Sequence, residues 1–210
     1  MREIFSSLFV LRPDQPGPNT PFTYLLKRTT GNILLATKAD ISHLAPDLTA
    51  IGGVSAVLLG DRHHAQPHTE ALARQLGAPL RCSEIEAKVL KKAGVNVDDP
   101  LPYRRDALAP DLEMIPTPGH TRGALSYLWT HEGRKFLFVG DTIVPIDGEW
   151  RYWVTTRNRE EMRRTVQILR DLSFDVILSN SFTATPVAWL EVDTASRLAM
   201  CRELDRSLAQ

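Results

Sequence analysis

The order of strand-like and helix-like segments is the feature that most constrains how this chain of 210 residues can fold. In each half, runs of strand character come first, strand–helix alternation follows, and helices close the half. A sheet must bury a face against another layer, and helices cover the faces that remain. The order predicts an α/β protein in which two β-sheets pack face to face between outer helices. We expect this four-layer αββα sandwich to form one domain over residues 1–210.

In the first half, sequence patterns predict a β-hairpin, one buried strand and two helices. Residues 22–27 and 32–36 are typical of a hairpin, and the apolar run 54–59 is typical of a strand buried on both faces. A helix over 67–76 begins with proline and is followed by glycine. A second helix, over 83–93, opens with a Ser-Glu-Ile-Glu capping box.

In the second half, three more strands are predicted, at residues 112–115, 124–129 and 135–139, with a hairpin turn at 131–134. Residues 158–172 have the apolar spacing of an amphipathic helix, with Asn158 as its N-cap. Residues 175–178 are predicted to form another buried strand. A last helix is predicted from about Pro186, with Leu190 on its apolar face.

Charge and composition exclude several classes of protein. Lys plus Arg equals Asp plus Glu at 25 each, so no overall basic charge recruits nucleic acid or an anionic membrane. No apolar run of 18 residues is present, and we recognise no signal peptide. Cys82 and Cys201 are far apart and without metal-type spacing, which favours reduced packing residues. We therefore expect a cytoplasmic protein.

Two short motifs place a histidine and an aspartate at the ends of predicted strands. Residues 116–123 read Pro-Thr-Pro-Gly-His-Thr-Arg-Gly, and residues 138–142 read Phe-Val-Gly-Asp-Thr. A Pro-Gly turn can hold a side chain at a strand mouth, where a metal or substrate reaches it. His120 and Asp141 are therefore candidate metal ligands. In the alternative, His120 is a loop histidine bonded to a backbone carbonyl, and Asp141 caps the turn that follows it.

The two motifs resemble the metallo-β-lactamase superfamily, whose third metal motif is similar to Gly-His-Thr-x-Gly and whose bridging aspartate lies in Gly-Asp-Thr. The resemblance covers nearly the whole chain in element order. It implies the αββα fold and hydrolysis by a metal-bound hydroxide. It also implies catalytic and metal-binding parts for His120 and Asp141.

The family's opening motif, a His-x-His-x-Asp-His loop, is incomplete in this chain. Counting from the end of the strand at Leu59 places Asp61 on the first histidine and His63 on the second. Ala65 then replaces the aspartate and Gln66 the last histidine. Alanine has no donor atom and glutamine is a poor zinc ligand. The second metal's half of the motif is therefore missing.

A shifted register is the alternative for this loop. It makes His63 the first ligand and His68 the last, but it puts Ala65 and Pro67 at the other positions and misplaces the helix start. We prefer the first register. His64 and His68 are then either exposed polar residues at the helix start or contacts to a ligand or substrate.

The family's last histidine, expected after the late strand, is absent. Residues 179–183 read Ser-Asn-Ser-Phe-Thr, and no histidine follows His131. Asn180 or Ser181 occupies the position, and neither is a good zinc ligand. His43 and His131 are expected to be ordinary surface residues.

The donors that remain limit the metal content. We expect at most one divalent ion, held by His63, His120, Asp141 and Asp61, or none. Mixed nitrogen and oxygen ligands suit zinc best and also fit iron or manganese. No second metal site is expected.

An aromatic segment follows Asp141 closely. Residues 147–153 read Asp-Gly-Glu-Trp-Arg-Tyr-Trp. Trp150 and Trp153 could stack on a substrate, and Arg151 could meet its carboxylate or phosphate. In the alternative, these rings cover the sandwich edge or form a contact in a homodimer, for which the last helix is the other candidate surface.

Two functions follow from this reading. The first is a metal-dependent hydrolase with a reduced site, acting on an ester, thioester or phosphoester. The second is a catalytically inactive member of the same fold that binds a small molecule or a protein. An iron-dependent oxidase is weaker, because those branches keep more ligands. In either case we expect a small-molecule ligand, with no nucleic-acid or membrane partner.

Overall fold

A computed structural model describes residues 1–146, 149–152, 154–181 and 187–209 of the chain. Its contacts divide the chain into two compact units, an N-terminal unit, Met1–Pro102, and a C-terminal unit, Tyr103–Gln210. This division measures compactness only, so the single domain over residues 1–210 stays a prediction.

The N-terminal unit contains a six-stranded sheet whose strands follow sequence order. They are β1 (Arg2–Phe5), β2 (Leu8–Leu11), β3 (Thr23–Leu26), β4 (Ile33–Ala36), β5 (Ala56–Leu59) and β6 (Leu80–Arg81). The first four strands pair antiparallel, and β5 and β6 join in parallel. The predicted hairpin is the β3–β4 pair, and the predicted buried strand is β5. Both are confirmed.

Three helices accompany this sheet: α1 (Ala45–Ala50), α2 (Pro67–Gln75) and α3 (Glu84–Lys92). The Ser83 side chain accepts the backbone N–H of Glu86 at 3.2 Å and so caps α3 as predicted. Leu72 of α2 and Leu90 of α3 pack in one core with Val57 and Leu59 of β5. The apolar run of β5 is buried throughout because β5 lies inside the sheet and in this core.

The strands of the C-terminal unit form one large sheet and one small one. In chain order they are β7 (Asp106–Ala109), β8 (Leu112–Pro116), β9 (Leu125–His131), β10 (Arg134–Phe138), β11 (Ile143–Ile146), β12 (Glu149–Tyr152), β13 (Val176–Leu178) and β14 (Trp189–Glu191). The large sheet has the order β14-β13-β10-β9-β8-β7, and β11 pairs with β12. The predicted turn between β9 and β10 is present, with Glu132 and Gly133 both at positive φ.

Helices α4 (Arg159–Asp171) and α5 (Thr194–Leu208) complete the C-terminal unit. The predicted amphipathic helix is α4, and its Met162, Val166 and Leu169 are buried in the unit's core. None of the helices within the described ranges is long and apolar enough to span a membrane.

The start predicted for the last helix is wrong. Leu190 lies on the edge strand β14, 46% exposed, rather than on a helix. Helix α5 begins at Thr194 because the Asp193 side chain accepts the N–H of Ser196 at 2.7 Å.

Candidate metal-binding residues

Asp61 and His63 form a carboxylate–imidazole pair just after β5. Asp61 is 1% exposed, and its Oδ1 accepts the backbone N–H of His63 at 2.7 Å. The Nδ1 atom of His63 lies 3.5 Å from the same oxygen, while 53% of the His63 side chain is exposed. The loop is thus folded around the buried carboxylate, which leaves the imidazole accessible.

Arg62, between these two residues, is anchored on a buried carboxylate. Its Nε lies 2.7 Å from Oε2 of Glu86, whose side chain is fully buried, while 30% of the Arg62 side chain is exposed. The sequence indicated only a helix-capping part for Glu86. The ion pair of Glu86 with Arg62 links the Asp61–His63 loop to the first turn of α3. The spacing of residues in the sequence does not predict this contact.

The next residues of the loop serve the start of α2. Ala65 is buried and has no donor atom beyond its backbone. Gln66 immediately precedes the helix, and its N–H donates to Oγ1 of Thr69 at 3.2 Å. The helix start at Pro67 agrees with the preferred register of the opening motif.

The two histidines considered for substrate contact differ in burial. His64 is only 2% exposed, so its expected exposure at the helix start is wrong. The short 3-10 turn Arg62–His64 places its side chain in the interior instead. His68 is half-buried, and its Nε2 lies 3.1 Å from the carbonyl oxygen of Lys38. Substrate contact by His64 and His68 stays a prediction.

In the C-terminal unit, a tight turn between β8 and β9 presents His120. Gly119 has φ +144°, and its N–H donates to the carbonyl of Thr121 at 3.0 Å. The N–H of Thr117 donates to the carbonyl of Ala124 at 2.9 Å and closes the base of the turn. The glycine supplies a backbone conformation that side chains rarely adopt, which turns the chain sharply just before His120.

Asp141 follows β10 and lies beside His120. Its Oδ2 is 3.9 Å from Nε2 of His120, and the two side chains are 18% and 15% exposed. Each side chain is therefore largely shielded but still partly accessible to solvent. This pair, predicted from the two intact motifs, comes together within one unit.

The segment where the family's last histidine was expected is tied to the backbone next to Asp141. The carbonyl of Gly140 accepts the Ser179 hydroxyl at 2.9 Å and the N–H of Asn180 at 3.1 Å. Asn180 and Ser181 are both buried. This segment supports the Asp141 turn through hydrogen bonds and supplies no imidazole.

Each of the two pairs offers one imidazole nitrogen and one carboxylate oxygen within 4.8 Å of each other. Two such donors are half of a tetrahedral zinc shell. Cys82 is buried, and burial, followed by the charge of Glu86, raises the pKa of its thiol to about 12. A protonated thiol of this kind is also a poor nucleophile.

The aromatic segment is only partly described. Trp150 of β12 is 8% exposed and packs in the core of the C-terminal unit, as the covering alternative predicts. Arg151 is exposed and donates to Oε2 of Glu149 at 2.9 Å. Trp153 lies outside the described residues. Ligand contact by Trp150, Arg151 and Trp153 stays a prediction.

No protein-family model and no curated protein matches the sequence. Solved structures do match. A HARLDQ-motif mutant of the metallo-β-lactamase from Cronobacter sakazakii superposes with TM-score 0.71 at 18% identity, over 99% of this chain and 94% of that one. A B3 metallo-β-lactamase with an active-site glutamic acid gives 0.66 at 16% identity, over 98% and 89%. The class B3 di-zinc metallo-β-lactamase LRA-12 from an Alaskan soil metagenome gives 0.62 at 16%, over 97% and 90%. The predicted fold class is confirmed, and the chain has the metallo-β-lactamase fold.

Proposed function

We propose that this chain is a metal-dependent hydrolase of the metallo-β-lactamase fold with a reduced site that holds one divalent ion. The ligands are Asp61, His63, His120 and Asp141. The observation that carries the proposal is the His120–Asp141 pair, whose side chains lie 3.9 Å apart and largely shielded at two strand ends. Solved enzymes with the same fold support it.

The donor set fits one ion. Two imidazole nitrogens and two carboxylate oxygens suit zinc, and they also fit iron or manganese. A second ion would need donors where Ala65 has none, where Gln66 starts a helix, and where Asn180 and Ser181 replace the last histidine. The proposal therefore stops at one ion.

The chain's own residues have distinct parts. When bound, the ion supplies a Lewis acid that lowers the pKa of water toward neutrality. His63 and His120 would hold the ion through imidazole nitrogens. Asp141, which lies beside His120, would be the residue that accepts a proton from the attacking water. The substrate class is an ester, thioester or phosphoester. The exposed Arg151 would bind a carboxylate or phosphate group of such a substrate.

A binding module without turnover is the second candidate, and the missing donors favour it. Loss of a ligand's support alone commonly costs about 10–100-fold in metal affinity or activity. Ala65, Gln66 and the 179–181 segment together remove more than one ligand. Under this alternative the same four residues bind a small molecule or protein, and hydrolysis is absent.

Metal analysis of protein purified without a histidine tag separates the candidates. We expect one metal equivalent in the parent, none in His120→Ala, and one in a matched His43→Ala control. His43 pairs at the surface with Asp14 at 3.3 Å, away from both motifs in the sequence. Two equivalents would contradict the one-ion site, and none in the parent would favour the binding module.

Turnover supplies the second readout. Weak esterase, thioesterase or phosphodiesterase activity should depend on added metal and disappear in His120→Ala. Activity that survives both a chelator and this substitution would contradict the metal mechanism.

Two further proposals concern the cellular location and the assembly of the protein. We place the protein in the cytoplasm, as its composition suggests, and fractionation of cells that express it natively tests this. We also propose that a homodimer of this chain would form through the region of Trp150 and Trp153 or through α5, rather than through the histidine loop. Sedimentation of the parent and Trp153→Ala tests the first surface, and an unchanged dimer in the variant would point to α5.

A further inference from the structure

Two side chains associated with α4 hold the backbone just before His120. Oγ1 of Thr165 donates to the carbonyl of Pro118 at 2.5 Å, and Nδ2 of Asn158 donates to the carbonyl of Gly119 at 3.1 Å. Both successive carbonyls that precede His120 are thus fixed by one helix. The two bonds join residues 47 and 39 positions apart in sequence.

The turn also lies in close contact with this helix. A Cβ atom on Gly119 would lie 3.0 Å from Cα of Met162, which occupies the α4 face between Asn158 and Thr165. Thr165 is fully buried, so water does not compete for its hydroxyl. Replacing this buried hydroxyl with an apolar group would remove a partner of the Pro118 carbonyl, which is costly where water cannot replace it fully.

Asn158 departs from the ordinary behaviour of its position. An asparagine that precedes a helix usually caps it by accepting an N–H of the first turn. Here Asn158 is the N-cap of α4 but makes no side-chain capping bond. Its amide is directed to the His120 turn, and the 3-10 turn Thr156–Asn158 leads directly into the helix.

We propose that Thr165 and Asn158 are positioning residues for His120, which fix its turn before any ion arrives. The inference rests on the proposed function in that it takes His120 as a ligand. Residues that orient a metal ligand typically change metal affinity about 10–100-fold when removed. A turn that is already fixed loses less conformational entropy on binding.

The test uses Thr165→Val, which keeps the side chain's shape and removes the hydroxyl, and Thr165→Ser, which restores a hydroxyl. Thr23→Val is the matched control, because it removes a buried hydroxyl whose 2.9 Å bond to Thr37 lies in the other unit. Zinc affinity is measured by competition with a chromophoric chelator. Amide hydrogen exchange of Gly119 is measured on metal-free protein.

We expect Thr165→Val to bind zinc about 10–100-fold more weakly than the parent, with Thr165→Ser and Thr23→Val close to the parent. The Gly119 amide, which is bonded to Thr121, should exchange faster in Thr165→Val alone. Unchanged zinc affinity in Thr165→Val would overturn the inference. If the parent binds no zinc, the proposed function fails instead. Gly119 exchange then decides the inference: faster exchange in Thr165→Val alone supports it, and unchanged exchange overturns it.

Discussion

Replacing Gly119 with alanine should destabilise the C-terminal unit through two separate effects. The first is backbone strain, because φ at Gly119 is +144°, a value that residues with a side chain rarely adopt. The second is a steric clash with α4. The added Cβ would lie 2.7 Å from Cε and 3.0 Å from Cα of Met162. The methionine tip can move, but the Cα belongs to the helix backbone.

The expected magnitude follows from these two effects. A residue held in a disfavoured backbone region costs about 1–3 kcal/mol, and overpacking costs about 1–3 kcal/mol more. Gly119→Ala should therefore lower the free energy of unfolding by about 2–6 kcal/mol. Gly133→Ala is the matched control in the same unit, because Gly133 has φ +77° and no atom lies within 4 Å of the added Cβ. It should cost only about 1–2 kcal/mol.

Urea unfolding, monitored by tryptophan fluorescence, gives the free energy of unfolding of each variant. The two values are comparable when the slope of that free energy against urea concentration is the same for both variants. The difference between Gly119→Ala and Gly133→Ala reports the contact with Met162 together with the additional backbone strain at φ +144°. If the two variants lose equal stability, the turn is not pressed against α4, and the reasoning is refuted.

Three further outcomes follow from buried or charged groups. Cys82, 1% exposed and with its pKa raised to about 12, should react with a maleimide only after unfolding; rapid labelling of native protein would contradict this. Glu86→Gln should lower the free energy of unfolding in urea by about 1–3 kcal/mol. The loss stays moderate because Arg62, whose buried partner loses its charge, can still reach solvent. A variant as stable as the parent would contradict this. Hydrogen bonds from Ser196 lower the pKa of Asp193 from its ordinary value of 3.8. The ionised Asp193 cap therefore stabilises the fold fully above pH 3.8, and this stabilisation is lost as pH falls through the lowered pKa. Asp193→Asn should therefore be less stable than the parent at pH 7, and the gap should shrink as pH falls through the lowered pKa of Asp193; a gap independent of pH would contradict it.

Features set by local chemistry were predictable from the sequence. The strand–turn–strand character around His120 and the Gly-Asp-Thr after β10 depend on turn residues that are adjacent in sequence. The structure accordingly places His120 and Asp141 together within the C-terminal unit. The N-cap at Ser83 and the proline that starts α2 are equally local, and both are present.

Features that depend on distant contacts were not predictable. Leu190 fits a helical apolar spacing, but pairing with β13 places it on a strand only three residues long. His64 looks exposed beside other polar residues, yet the turn that follows Asp61 buries it. Glu86 and Thr165 support the two motif loops through contacts with residues that lie 24 and 47 positions away along the chain. A single sequence has no pattern that reports such contacts.

The position of the division at Pro102 has a consequence for synthesis on the ribosome. All six strands of the N-terminal sheet come from this unit, so none waits for a partner that is translated later. At about 5–20 residues per second, the 18 residues that follow Pro102 up to and including His120 (120 − 102) take about 1–4 s to make. Asp61 and His63 can therefore adopt their places seconds before His120 and Asp141 have left the ribosome.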